Sequence, residues 1–299
     1  MDMRFRGLPP LLRQFGTAGS SWSNPKARAL LVGTFAFLTA MMARGEDLTI
    51  AVASNFAAPM QAIATKFEAR SGHRVKLAFA SSGKIFAQIR HGAPFDAFFS
   101  ADQEKPARLV ALGLAETSSR FTYAEGRLVL WSSQKDLINE QGAVLKSGNF
   151  NKLAIANPKL APYGAAALEA LERLKLVDST RDRWVQGENI SQTYLFVASG
   201  NADLGLVAAS QVIRDGSITA GSAWILPESL YAPIRQDAVI LKHAADSPAL
   251  MDFWSFLKGP TATAIIRAFG YTTDTTHKAT REAIEIIEPA FTGRDDHVK

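Results

Sequence analysis

From Leu48 onward, short apolar runs alternate with stretches whose apolar residues recur at helical spacing. This alternation restricts the fold more than any other feature, because strands separated by helices assemble into a mostly parallel sheet of an α/β protein. Leu48 to Ala53, Val75 to Ala80, Pro94 to Asp102 and Arg127 to Trp131 read as strands, followed by Leu153 to Pro158, Asp203 to Ala208 and Ala238 to Leu241. Between the first two, Met60, Ile63, Ala64 and Phe67 fall at i, i+3, i+4 and i+7, one buried helical stripe. Pro59 is acceptable in the first turn of that helix, and Ser71-Gly72 ends it. A second helix is expected from Ala165 to Leu174, with Leu168, Leu171 and Leu174 inward, and a third with Leu250, Phe253, Trp254 and Leu257 inward.

Four loop-to-helix junctions carry donor-bearing or tightly turned sequences: Ser54-Asn55, Ser81-Ser82-Gly83, Pro162-Tyr163-Gly164 and Asn189-Ile190-Ser191. Ala161 to Gly164 reads as a turn before its helix. A helix start presents free backbone N–H groups and the positive end of the helix dipole, which together bind anions. In open α/β sheets such loops gather at the carboxyl ends of the strands, where ligands bind. Two junctions lie in each half, so two lobes could close on one small anion. Four ordinary helix caps would give the same pattern, and periodicity does not separate the two readings.

Residues 1–45 stand apart from this fold. Ala29 to Met42 is an uncharged apolar run preceded by Lys26 and Arg28 and followed by Ala43-Arg44-Gly45, the layout of a secretory signal cut near Gly45. An uncleaved membrane anchor is the alternative, although a transmembrane helix needs about 20 apolar residues. Of the 33 basic and 28 acidic residues, Arg4, Arg6, Arg13, Lys26, Arg28, Arg44 and Asp2 fall in this segment, leaving 27 of each sign. The overall charge of +5 therefore gives no support to nucleic-acid binding. Cysteine is absent, which excludes disulfides, thiolate metal sites and cysteine nucleophiles.

Little points to catalysis. The five histidines, at 73, 91, 243, 277 and 297, have no partner at metal-ligand spacing. No G-x-S-x-G elbow or H-E-x-x-H motif occurs, and Ser81 with Lys84 fits S-x-x-K without its companion motifs. Asp96, Asp102 and Asp203 read as residues that cap helices or hold loops.

The consecutive stretches ASNFAAPMQAIATKFEARSGH, FASSGKIFAQIRHGAPFDAFFSADQEKP, RFTYAEGRLVLWS, IANPKLAPYGAAALEAL, GENISQTYLFVASGNADLGLVAASQ and FLKGPTATAIIRAFGY resemble the periplasmic molybdate-binding proteins of ABC importers, the ModA family, from Asp47 to about Tyr271. The resemblance implies a type II periplasmic binding fold: two α/β lobes, each a mostly parallel sheet flanked by helices, hinged by crossover strands around an oxyanion cleft. On this plan lobe 1 spans 46–124 and 233–271 and lobe 2 spans 125–232; the C-terminal tail, 272–299, lies beyond the resemblance, and Ala279, Ala283, Ile286 and Ile287 suit either a short amphipathic helix packed on lobe 1 or a mobile terminus. The resemblance further implies binding by neutral donors at Ser54, Asn55, Ser82, Tyr163 and, through its backbone N–H, Ile190. One branch of the family has alanine at the position of Tyr163 and tyrosine at that of Ala208. This chain has the reverse, so Tyr163 is taken as the donor and Ala208 is not. Molybdenum would enter only as molybdate, with no direct metal ligand, no cofactor and no catalytic residue. The implied partners are molybdate or tungstate and a membrane ABC permease, with the protein a periplasmic monomer.

Overall fold

The computed structural model describes residues 45–139 and 141–273. The segment before Gly45 that reads as a secretory signal and the suggested helix in the tail lie outside the described residues. Among the described residues twelve strands form: β1 Asp47–Ala53, β2 Arg74–Ala80, β3 Ala97–Phe99, β4 Phe121–Gly126, β5 Leu128–Ser132, β6 Leu153–Ala156, β7 Trp184–Gly187, β8 Leu204–Ala208, β9 Ile213–Arg214, β10 Ser217–Ile218, β11 Ser222–Ile225 and β12 Ile234–Ile240. The main helices are α1 Ala57–Ser71, α2 Ser82–Arg90, α3 Glu104–Ala111, α4 Pro162–Arg173, α5 Ile190–Ala198, α6 Pro248–Leu257 and α7 Pro260–Ala268.

Two five-stranded sheets share one plan. The first has the order β2-β1-β3-β12-β4 and the second β11-β5-β8-β6-β7, while β9 and β10 form a separate hairpin. In the first, β1 pairs parallel with β2 and β3, and β12 pairs antiparallel with β3 and β4. In the second, β6 pairs parallel with β7 and β8, and β5 pairs antiparallel with β8 and β11. Each sheet therefore has four strands running one way and one against them, β12 in the first and β5 in the second.

Those two reversed strands bring the site together. Strand β4 ends at Gly126 and β5 begins at Leu128, so the chain leaves the carboxyl edge of the first sheet and enters the second at once. Because β5 is reversed, its start lies at the carboxyl edge of β6, β7 and β8. The return from β11 to β12 obeys the same geometry in the other direction. The carboxyl edges of both sheets are thereby joined by two crossings, and the junction loops emerge there.

Alternate residues of each central strand feed cores on opposite faces. Ile50 and Val52 pack with the Met60, Ile63 and Phe67 stripe of α1 and with Phe253 and Leu257 of α6, while Ala51 faces Ile85, Phe86 and Phe98. Each fully buried large side chain of this kind stabilises by about 1.5–3 kcal/mol. In the second sheet Leu128 and Leu130 face one core, and Val129 and Trp131 the other. Gly72 closes α1 in the left-handed conformation, φ 77°.

Two local expectations are corrected. The turn expected at Ala161 to Gly164 is the first turn of α4, because Pro162 at the opening position supplies a helical φ where no N–H is needed. The buried face of that helix is lined by Tyr163, Ala166, Ala167, Ala170 and Leu171, with Leu168 and Leu174 only partly covered. Small residues let the helix approach the sheet closely. A Cβ on Gly164 would sit 2.4 Å from the Ala156 carbonyl oxygen.

Candidate functional site

Strand β1 runs directly into a single 3-10 turn, Ser54–Phe56, before α1 begins, so the first junction is a separate turn rather than the end of that helix. Both Ser54 and Asn55 are buried. A helix start leaves its first N–H groups without intrahelical acceptors, and here those belong to Ser54 and Asn55.

At the second junction Ser81, not Ser82, is the N-cap of α2: its Oγ accepts from the Lys84 N–H at 3.4 Å. The Gly83 N–H crosses to the Leu160 carbonyl, 2.9 Å away. What remains is Ser82, 1% exposed, with its own N–H and a hydroxyl whose oxygen accepts from the Ala101 N–H at 2.9 Å. With one acceptor site occupied by a backbone donor, the Ser82 hydroxyl proton is turned away from Ala101 and is available to another acceptor.

The other two junctions are built alike. In α5 the Asn189 side chain caps the N–H groups of Ser191 and Gln192 at 3.0 and 3.1 Å, leaving that of Ile190 without an intrahelical acceptor. In α4 Pro162 has no N–H, and those of Gly164 and Ala165 both reach the Ala161 carbonyl, leaving that of Tyr163. The Tyr163 hydroxyl accepts from Gln236 Nε2 at 3.3 Å. Burial pushes its pKa well above the ordinary tyrosine value, with the neighbouring Tyr271 and Tyr123 adding to the shift, so it stays neutral and protonated.

Ser54, Asn55, Ser82, Tyr163 and Ile190 line one cavity, together with Ala53, Ser81, Ala101, Ala161 and Pro162. None of these ten residues carries a formal charge. The two sides of the cavity touch through hydrogen bonds from Ser191 Oγ to the Ser54 carbonyl at 3.2 Å and from Ser210 Oγ to the Asn55 carbonyl at 2.7 Å. Lys84 Nζ meets Glu188 Oε1 at 2.7 Å across the same boundary. That ion pair occupies the ammonium that S-x-x-K chemistry would place against Ser81.

The Asn55 side chain departs from a simple donor role. Its Nδ2 donates to Gln236 Oε1 at 2.8 Å and to the Tyr271 hydroxyl at 2.9 Å, so both amide protons serve the protein. What Asn55 offers the cavity as a donor is its backbone N–H. Sequence reading missed Gln236, Tyr271 and Ser210, which form this network behind the cavity. The available signal was Gln236-Asp237, a polar pair just before the apolar run Ala238 to Leu241. Asp96, Asp102 and Asp203 hold loops, accepting from the backbone N–H groups of Thr49, Lys105 and both Asn151 and Lys152 respectively.

A family profile described as bacterial extracellular solute-binding protein matches residues 48–272. The molybdate-binding protein ModA of Azotobacter vinelandii is 49% identical over 242 residues, covering 81% of this chain and 96% of the relative. ModA of Rhodobacter capsulatus is 45% identical over 249 residues, covering 83% of this chain and 95% of the relative. The solved structure of the Azotobacter vinelandii periplasmic molybdate-binding protein superposes with a TM-score of 0.73 at 42% identity, covering 76% of this chain and 99% of that one. With the two-sheet architecture, these similarities show that the chain belongs to the bacterial extracellular solute-binding proteins and, among them, to the ModA family of molybdate-binding proteins.

Proposed function

We propose that this protein captures molybdate outside the cytoplasm, in the cavity between its two sheets, and delivers it to the membrane permease of an ABC importer. The observation that carries the reading is an uncharged cavity on which four helix starts converge. Each α-helix start is equivalent to about half a positive charge, so α2, α4 and α5 together supply roughly one and a half, and the N–H groups of the Ser54–Phe56 turn add to this against the dianion. Hydrogen bonds to an ionised group contribute about 1.5–3 kcal/mol each. Donors at Ser54, Asn55, Ser82, Tyr163 and Ile190 would therefore support nanomolar affinity, about −12 kcal/mol, after ordering and desolvation are offset. No carboxylate lines the cavity, so an oxyanion carrying a proton finds no ionised acceptor for it and is disfavoured.

In this reading the lobes assigned from sequence open and close about the β4–β5 and β11–β12 crossings, and closure makes the bonds between Ser191 and Ser54 and between Gly83 and Leu160. The apolar segment at 29–42 would export the chain to the periplasm, where it would act as a monomer and accept tungstate as well as molybdate. It would perform no chemistry on its cargo. Calorimetric titration of the purified protein with molybdate, tungstate, sulfate and phosphate tests the assignment. Tight binding of the first two is expected, and binding of sulfate or phosphate without molybdate would refute it.

A further inference from the structure

Gln236 is fully buried on β12, the strand that returns the chain to the first sheet. The ladder between β12 and β4 slips at this point: Gln236 faces Ala124 and Asp237 faces Thr122, which leaves Tyr123 as an extra residue. Such a bulge re-aims side chains. Here the Tyr123 hydroxyl lies 3.0 Å from Gln236 Oε1, and Asn55 Nδ2 donates to the same oxygen at 2.8 Å. On the opposite side of the amide, Gln236 Nε2 donates to the Tyr163 hydroxyl at 3.3 Å. One side chain thus ties the first junction to the third. The space it shares with Tyr163 exists because residue 126 is glycine: a Cβ there would lie 1.9 Å from the Tyr163 hydroxyl and 2.7 Å from Gln236 Nε2.

Proton accounting gives the network a direction. The Tyr271 hydroxyl donates to the Asn55 carbonyl at 2.9 Å or to Ser210 Oγ at 3.1 Å. Its single proton is directed there, so toward the Asn55 side chain it accepts, and the group facing it is the Asn55 NH2. The second proton of that NH2 then points at Gln236 Oε1, which leaves Gln236 Nε2 to face Tyr163. A tyrosine hydroxyl that accepts at this point keeps its own proton for a different acceptor. We propose that Gln236 is a positioning residue for oxyanion binding: by donating to the Tyr163 hydroxyl it holds that group with its proton available to the bound anion. The proposal rests on the cavity being an oxyanion site. Tyr271 also lies within hydrogen-bonding reach of Tyr163, but a doubly charged anion is the stronger acceptor and takes the proton when it binds.

A double-mutant cycle in the full-length mature protein tests this, with molybdate affinity read by calorimetry and folding checked by melting without ligand. Tyr163→Phe is expected to weaken binding by about 10- to 100-fold, and Gln236→Met, similar in size but without the donor, by about tenfold. If Gln236 acts through Tyr163, the double variant binds no more weakly than Tyr163→Phe alone. Losses that multiply, or unchanged affinity in Gln236→Met, overturn the proposal. Should the Met variant fail to fold, Gln236→Asn keeps the amide but shortens its reach, and the same cycle applies. If the wild-type protein binds sulfate instead of molybdate, the molybdate reading fails while the cycle, run with sulfate, still decides the role of Gln236. Binding of no oxyanion by the wild type refutes both.

Discussion

Helices α2 and α5 open on opposite sides of the cavity and are the same length, nine residues each. Both are N-capped by a polar side chain, Ser81 in one and Asn189 in the other, and both set their first helical residue against the cavity. That residue is Ser82 in α2 and Ile190 in α5. Helix α2 therefore offers a hydroxyl as well as a backbone N–H, and α5 a backbone N–H alone. Equivalent geometry is reached with unequal chemistry, so the two sides should differ sharply in what a substitution does to them.

The largest effects should come from deleting one donor on each side. Ser82→Ala removes the hydroxyl held by the Ala101 N–H and is expected to weaken molybdate binding by about 10- to 100-fold, one charge-assisted hydrogen bond. At Ile190 the side chain should matter little: Ile190→Val should stay within about threefold of wild type. Ile190→Pro is the informative change. Proline is tolerated at the first helical position, and the preceding Asn189 already has the extended conformation, φ −145° and ψ 173°, that proline requires. The substitution deletes the N–H with little disturbance of the helix and should cost as much as Ser82→Ala. Calorimetry with a ligand-free melting control decides, and full affinity in Ile190→Pro would remove that backbone donor from the site.

Alkaline pH sharpens the contrast further, since serine hydroxyls and backbone amides do not titrate in the accessible range whereas tyrosines do. Burial raises the Tyr163 pKa and pushes that of Tyr271 up to about 12, against its hydrogen bonds with Ser210 and Asn55, which lower it. A raised folded pKa means that the neutral form is favoured in the fold. The associated stability is fully present below the unfolded tyrosine pKa of about 10 and is lost as pH rises from there towards the folded value. For Tyr271 alone the loss would be about 2–3 kcal/mol. Urea midpoints should therefore be level from neutral pH to about 10 and fall beyond it, and Tyr163→Phe should reduce the fall. A decline beginning near neutrality would mean that other groups control the fold.

The sequence patterns that succeeded are local ones. The α1 stripe of Met60, Ile63 and Phe67, and the four inward residues of α6, are buried because their spacing alone determines one helical face. The four junctions were legible because each sets donor-bearing or tightly turned residues where a loop opens a helix, and the fold gathers residues of all four at one cavity. Ala161 to Gly164 misled because Pro-Tyr-Gly suits a turn as well as a first helical turn, and only packing against Ala156 separates them. Long-range partnerships could not be read at all. Asn55 looks like a ligand donor in its own segment, but its amide protons are committed to Gln236 and Tyr271, 181 and 216 residues away.

The smallest expected effect concerns the contact that joins the two capped helices, Lys84 of α2 with Glu188 just before Asn189. The pair is short, 2.7 Å, but its side chains are about half exposed, 50% and 44%. Water and salt therefore screen it, and such pairs typically contribute less than about 1 kcal/mol. By comparison, the contacts of Ser191 with Ser54 and of Gly83 with Leu160 involve backbone groups in or next to the residues that line the cavity. Lys84→Ala should speed molybdate release about two- to fivefold at low ionic strength. The difference should vanish near 1 M salt, where the screening length falls to about 3 Å. Stopped-flow release rates across a salt series measure this. A loss above tenfold that persists in high salt would place the Lys84 charge in the anion's immediate surroundings, and the site could no longer be described as neutral donors on two matched helix starts.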